Sequence, residues 1–477
     1  MELFYSGSGN ILYQKNEYRC DLYLNDDKGG ILFRIYVDKA MASFIELPLE
    51  IDCLSGRLDN GFNFTVFRCS RTNMESRISE GQSVFTFQAH SMLKGVGTSN
   101  PNGTMLYNVQ FGLADILEWG SFSGYKIGKN YELSSGNPVE IDVYADDQIT
   151  VKYLVSTSML PVVQQELLSD KIILSQQGII EIQSKEPEPI GFFEEYYQKI
   201  KRLIEISIRK PVKLTNVTGW SHNVCCHIGK HHIESPITIL TTDFYSTDQE
   251  KNDRTSSWNW FTLPELLENN SFGLYLEKHD ILEPIVELYM ETFSPNGLSS
   301  KRLFLNLVQG LETYHSRFIT NDLNEFKKRI ANVILKNRPE QFVADDTSFL
   351  MAKSHSFITL ESRLADLLLA NFEIVFDTGD IRRYDFPEII ANTRNYLIHY
   401  DERIKENKRV LTDDEVSIYN KTLLIMLEYY LLKELGFIDT HALMKKLNDR
   451  WGSVSTTISI IKSSREKEKS HQTFTGN

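Results

Sequence analysis

The chain has 477 residues, 41% of them hydrophobic, and a formal net charge of −13. That length is too great for one compact core, so two or three domains are expected. The acidic balance excludes a surface coated in basic residues for non-specific nucleic-acid binding, but leaves room for a local basic site.

Five cysteines, Cys20, Cys53, Cys69, Cys225 and Cys226, are odd in number and include an adjacent pair, which argues against a secreted disulfide framework. The start, Met1-Glu2-Leu3-Phe4-Tyr5, has no basic region and no apolar run of signal-peptide length. No stretch is apolar for long enough to span a bilayer. A cytoplasmic protein without a membrane partner is expected.

Residues 1–185 read as a β-rich, sandwich-like or barrel-like domain. Ile31-Leu32-Phe33-Arg34-Ile35-Tyr36-Val37 is rich in branched and aromatic residues. Asn60-Gly61, followed by alternation through Phe67, is the strongest hairpin signal in the chain. Further strands fit 83–88, 105–112, 140–144, 149–155 and 179–182. Lys94-Gly95-Val96-Gly97 has no helix after it and reads as a loop.

Residues 186–270 read as a linker, a helix over 192–207 and a small mixed segment. Glu186-Pro187-Glu188-Pro189 is the linker, 211–244 is β-like, and 246–257 is a polar connector. From 271 to 455 the apolar period turns helical, over 280–292, 300–318, 323–335 and 355–376. A further helix starts near Asp385, where Asp385 and Glu388 have capping-box spacing and Pro387 sits in the first turn. Thr412 and Glu415 repeat that signature before a helix to Leu435, with Gly436 at its C-terminal cap, and 441–450 forms a last short helix. Residues 456–477 are a polar tail. The fold class expected is α+β: an all-β N-terminal domain, a short mixed middle and an all-α C-terminal bundle.

The chemistry-bearing stretch is Arg394-Asn395-Tyr396-Leu397-Ile398-His399. Arginine and histidine at such spacing are cheap, and a second match, Arg465…His471, falls in the polar tail. Context separates the two. Arg394 and His399 lie on a helix whose Ile389, Ile390, Leu397 and Ile398 are apolar, so its polar residues are held. Asn395 and His399 share a face, and Arg394 is turned away by roughly 140° with a side chain long enough to reach round.

Two copies about a two-fold axis would bring two arginines and two histidines into one groove. An imidazole can take the proton of a ribose 2′-OH or protonate a leaving 5′-oxygen. A guanidinium can hold the scissile phosphate and stabilise its charge. Asn395 can orient either. This chemistry needs no metal or cofactor and would leave a 2′,3′-cyclic phosphate or 3′-phosphate and a 5′-OH.

The six-residue motif, late in an all-α bundle, resembles the Arg-polar-x-x-x-His signature of the HEPN ribonucleases. Gln309-Gly310-Leu311-Glu312-Thr313-Tyr314-His315 and the stretch 394–401 resemble an ApeA-type HEPN domain, and Gly56-Arg57-Leu58-Asp59-Asn60-Gly61 resembles the N-terminal domain that precedes it. The resemblance implies an anti-phage abortive-infection endoribonuclease, dimeric and metal-independent, acting on RNA, with tRNA a candidate. It also implies a phage protein as trigger, sensed by the N-terminal domain. By matching position it implies Arg394 and His399 as the catalytic pair and Asn395 as the polar motif residue. The alternative is a non-catalytic HEPN binding or dimerisation module with a β ligand-recognition domain, Arg394 pairing with a carboxylate and His399 a satisfied core residue.

Two other groups carry candidate chemistry. His222, Cys225, Cys226, His227, His231 and His232 crowd into eleven residues. With Gly229-Lys230 as a two-residue turn, Cys225, His227 and His232 share a face, but the spacing matches no standard zinc module, and a strand with a buried thiol is favoured. Arg403, Lys405, Lys408 and Arg409 follow the motif and are candidate RNA-phosphate contacts, although interspersed glutamates favour a solvated run. Arg382-Arg383, before the motif helix, has the same two readings.

Overall fold

The computed structural model describes residues 5–25, 30–38, 47–97, 104–130, 132–136, 138–158, 174–228, 231–242, 259–293, 297–337, 357–371 and 385–452. Two compact units emerge: Met1–Ser207 with Pro211–Pro264, and Ile208–Lys210 with Glu265–Asn477.

The first unit is all-β apart from one long helix and short turns. Strands β1 (Tyr5–Tyr13), β2 (Asn16–Asn25), β3 (Gly30–Val37), β4 (Glu50–Leu58), β5 (Asn63–Arg77) and β6 (Gln82–Lys94) pair antiparallel in the cyclic order β6-β3-β2-β1-β4-β5. The β5–β6 ladder closes this ring into a six-stranded barrel. Closure removes the exposed edges that an open sheet would leave. The hairpin foreseen at the Asn60-Gly61 turn is present and joins β4 to β5, although Phe64, Thr65, Val66 and Phe67 are buried in succession and do not alternate. Phe33, Phe64, Val66, Phe85 and Phe87 point into a common core, with Phe33 and Phe87 stacked at 5.4 Å.

The C-terminal half of β6 also pairs with β16 (Ile237–Thr241). From there the sheet continues through β13 (Leu214–Trp220), β7 (Leu106–Leu113), β12 (Gln176–Glu188), β11 (Ile149–Thr157) and β10 (Val139–Ala145). Residues 186–270, expected as a linker helix and separate mixed segment, supply β13 and β16 to this sheet and α2 (Ile190–Ile208) to its cover. The reason is backbone pairing: β13 has partners on both sides, β7 and β16. Helix α2 buries Phe193, Tyr197, Ile200, Leu203 and Ile204, and Tyr197 stacks on Phe111 of β7 at 4.2 Å. The short elements β8 (Tyr125–Ile127) and β9 (Leu133–Ser135), α1 (Leu117–Gly120), β14 (Cys225–Ile228) and β15 (His231–Glu234) lie outside the main sheet.

The second unit is helical. It comprises α3 (Leu263–Glu268), α4 (Ser271–Met290), α5 (Ser300–Tyr314), α6 (Leu323–Asn337), α7 (Leu360–Asn371), α8 (Asp385–His399), α9 (Glu402–Asn407), α10 (Asp413–Glu434) and α11 (Thr440–Trp451). Helix α4 begins about two turns earlier than its apolar period suggested. Helix α5 runs into a π turn over His315–Ile319, continuous with the single helix expected over 300–318. Helix α10 is the spine: a continuous run from Thr422 to Leu432 is buried, so α10 is wrapped rather than one-sided. Its start carries the expected capping box, in which Thr412 accepts from the Glu415 amide and Glu415 accepts from the Thr412 amide at 2.7 Å. Gly436 follows with φ +91°, and a Cβ there would lie 2.4 Å from the Asn269 carbonyl oxygen, so glycine is required. The tail match Arg465…His471 and the Arg382-Arg383 pair lie outside the described residues. No described helix is long and apolar enough to cross a membrane.

Candidate active site

Helix α8 is built to hold one face still and present another. Phe386, Ile389, Ile390 and Leu397 are buried, and Phe386 stacks on Tyr419 of α10 at 5.7 Å. Pro387 occupies the first turn, where its missing N–H removes no helical bond. The Asp385 side chain, expected to take part in a capping box with Glu388, lies outside the described residues. Thr393 is fully buried. Its hydroxyl donates to the Ile389 carbonyl and accepts from the Leu411 amide, which pins the segment before α10 to the helix. The helix packs on α7 and α5.

Arg394 leaves this face partly exposed. Its Nη1 donates to Asn395 Oδ1 at 3.2 Å, and its Nη2 lies 3.9 Å from Glu312 Oε2 on α5. Asn395 therefore serves the arginine. His399 is the last residue of α8 and is exposed, and among the described residues its ring makes no hydrogen bond. The site thus offers a guanidinium held on two sides, with donors to spare, and an imidazole free to meet solvent or a ligand. Within one chain, these are the parts for binding a phosphate and moving a proton.

Glu312 lies within the 309–315 stretch, which assigns it no role of its own. The signal was present: helical spacing places it one turn before His315, on a helix whose Leu307, Leu311 and Tyr314 are core. His315 is itself fully buried. Arg363 Nη1 points at its Nδ1 at 3.0 Å, and a guanidinium can only donate, so Nδ1 is the acceptor. The proton therefore sits on Nε2, which donates to Asp366 Oδ2 at 2.8 Å. Arg329 Nε donates to the same oxygen at 3.1 Å. Burial holds the His315 imidazole below its ordinary value, against the pull of Asp366. Arg363 also donates to the Asn321 side chain at 2.6 Å and to the Thr320 carbonyl at 3.3 Å, which staples the π turn to α7.

The basic run after the motif is largely occupied by its own chain. Arg403 makes two 3.0 Å bonds to Asp401, the N-cap residue of α9. Lys405 lies 3.9 Å from Glu402 and 5.6 Å over the Tyr396 ring. Arg409 pairs with Glu415 and donates to the Val410 carbonyl at 2.7 Å. Lys408 is exposed and has no such partner among the described residues.

In the first unit, β14 and β15 form the anticipated hairpin, with His227 opposite His232 and Cys225 opposite Glu234. The side chains of Cys226, His227, His231 and His232 lie outside the described residues. His222 is engaged elsewhere: its Nδ1 is 2.7 Å from Glu234 and its ring stacks on Tyr107 at 4.3 Å. The Cys225 thiol donates to the His222 carbonyl. No group of three metal-ligating side chains gathers among the described residues. The stretch 56–61 borders an open cavity of about 650 Å³ beside the barrel, lined by Asn10, Glu17, Arg57, Asp59 and Asn63 among others.

Comparison with known families places both units. Residues 305–440 match the model described as Apea-like HEPN, and residues 5–270 match ApeA N-terminal domain 1. No curated protein and no solved structure matches the chain. The first match covers the helices that carry Glu312, Arg394 and His399, and the second spans more than half of the chain, so the protein belongs to the ApeA-like HEPN family.

Proposed function

We propose that the protein is an anti-phage defence effector whose C-terminal unit is a metal-independent endoribonuclease. Family membership fits a defence effector, and HEPN domains are generally ribonucleases. The observation that carries the finer reading is the contrast within α8. Arg394 is tethered by Asn395 and Glu312, while His399, five residues on, stands exposed at the helix end.

In this reading Arg394 grips the scissile phosphate through donors that Asn395 and Glu312 leave free. His399 takes the 2′-OH proton as the oxygen attacks phosphorus, or protonates the departing 5′-oxygen. The negative charge that builds on the phosphate oxygens is met by the guanidinium. One chain supplies one arginine and one histidine. Acid and base roles are filled together when a second copy brings its own α8 to the same groove. The substrate is RNA, with tRNA a candidate, and the N-terminal unit, with its cavity beside residues 56–61, senses a phage component.

The test is cleavage of purified RNA in EDTA by wild type, Arg394→Ala and His399→Ala. Each variant should lose about 10²-fold or more while its circular dichroism is unchanged. Arg394's contact with Glu312 also suits the alternative of a non-catalytic module. That alternative predicts that no RNA is cut under any condition, including co-expression with phage proteins.

A further inference from the structure

Tyr400 follows His399 directly and has φ +50°. Its amide still donates to the Tyr396 carbonyl, so α8 closes with a left-handed residue at its C-terminal cap. Glycine or asparagine normally fills that place, because a Cβ is crowded there, and for a bulky residue such a φ is a true outlier. A strained side chain can repay its strain by burial, but Tyr400 is 65% exposed. Among the described residues its ring meets the Tyr396 ring, with centroids 5.9 Å apart, and its hydroxyl makes no hydrogen bond. The strain therefore has no evident return in the folded chain, and strain of this kind concentrates at sites of function.

The surroundings indicate what the ring meets. Ile398 is also exposed, so three consecutive side chains, Ile398, His399 and Tyr400, project from the helix end. Lys405 sits over Tyr396. Lys301 is ion-paired with Asp413 at 2.9 Å, which raises its pKa, with smaller contributions from the two tyrosines, and Lys408 is exposed just past the end of α9. An exposed aromatic face beside His399 suits a nucleotide base by stacking, and the lysines near it, Lys405 beside Glu402 and Lys301 beside Asp413, sit in solvent-exposed pairs that a phosphate can exchange.

We propose that Tyr400 is a substrate-binding residue that stacks on an unpaired RNA base next to the scissile phosphate, setting the bond in register with His399. This rests on the ribonuclease reading and deepens it. It predicts a preference for single-stranded loops, whose bases can splay out onto the ring.

The test uses full-length protein with Tyr400→Phe, Tyr400→Leu and Tyr400→Gly. Each is read by cleavage and, in a His399→Ala background, by anisotropy with labelled random-sequence single-stranded RNA 20-mers. Phe should keep wild-type affinity. Leu and Gly should each weaken binding by roughly tenfold, within the range of one lost base stack. Gly should meanwhile raise the melting temperature by relieving the strained φ, which shows that lost binding is not lost folding. If Leu binds as well as Tyr, or if Gly changes the oligomeric state and not the affinity, the surface is an apolar contact between copies and the stacking assignment falls. If the 20-mers bind and Gly binds them equally, the assignment falls while the ribonuclease reading stands. If the chain with Tyr400 neither binds nor cuts RNA, both fall.

Discussion

Arg394 is the residue on which the site's geometry turns, and its neighbours divide its donors between them. Asn395 takes one and Glu312 faces another, so the planar guanidinium is fixed in orientation without being buried. Glu312→Gln should leave stability nearly unchanged, because both side chains are about a third exposed and such pairs contribute little. It should lower the cleavage rate by up to about tenfold, much less than Arg394→Ala, since one orienting contact is removed and the charge on phosphate is kept. Rate measurement beside thermal unfolding checks this, and equal losses for Glu312→Gln and Arg394→Ala would assign Glu312 a direct chemical role. Arg394, Asn395 and His399 could be picked out from the sequence because they share one helix. Glu312 could not be paired with them in the same way: its partner lies about eighty residues away, and only the α5–α8 contact shows that they meet. The reach of Asn395 was equally hidden, since helical spacing allowed it to serve either His399 or Arg394.

At the scale of the element, α10 and α11 show how the bundle holds a site at its surface. Glu428 on α10 is fully buried, yet Arg450 Nη1 lies 2.7 Å from it, Trp451 Nε1 donates at 2.8 Å and Tyr289 donates at 2.9 Å. A buried carboxylate so completely partnered docks the last helix at a defined register. Removing one partner should be costly, because burial already pushes the Glu428 pKa up and the variant must either bury its charge unpaired or protonate it: Arg450→Ala is expected to lose about 3–5 kcal/mol in denaturant unfolding. Thr412→Ala, which removes half of a capping box at the surface, should lose only about 1 kcal/mol. A loss below 1 kcal/mol for Arg450→Ala would mean that water solvates Glu428 in the variant. Helix ends of this kind were legible from Thr412, Glu415 and Gly436 because caps are local chemistry. The wrapped middle of α10 was legible only as a helix. Its burial on all sides, Glu428 included, comes from tertiary contacts.

For the whole molecule, the all-β and all-α halves could be read from the change of apolar period, from two to about 3.6. Barrel closure could not, because the local β5–β6 hairpin completes a ring only through the β1–β4 and β3–β6 pairings, which join strands not adjacent in sequence. The same is true of β13 and β16, whose short apolar runs carry no mark of the sheet they join.

The helical unit should also carry a pH signature. His315 is neutral when folded, with its pKa held below the ordinary 6.5 chiefly by burial. As pH falls through about 6.5 the unfolded chain gains a proton that the folded chain refuses. The stabilisation is complete above that point and is lost progressively toward the folded pKa. Unfolding free energy measured from pH 7.5 to 5.5 should therefore fall, and the fall should be smaller in His315→Gln. Parallel profiles for the two proteins would remove His315 as the cause.

On the proposed reading, Arg394 and His399 cut RNA without a metal. Its most direct test is the end chemistry of RNA from induced cells and from purified reactions in EDTA, comparing wild type with His399→Ala. New 5′-OH ends paired with 2′,3′-cyclic phosphate or 3′-phosphate ends are expected, present in wild type and absent in the variant. Cleavage that persists in His399→Ala, or that leaves 5′-phosphate ends and stops in EDTA, would contradict it.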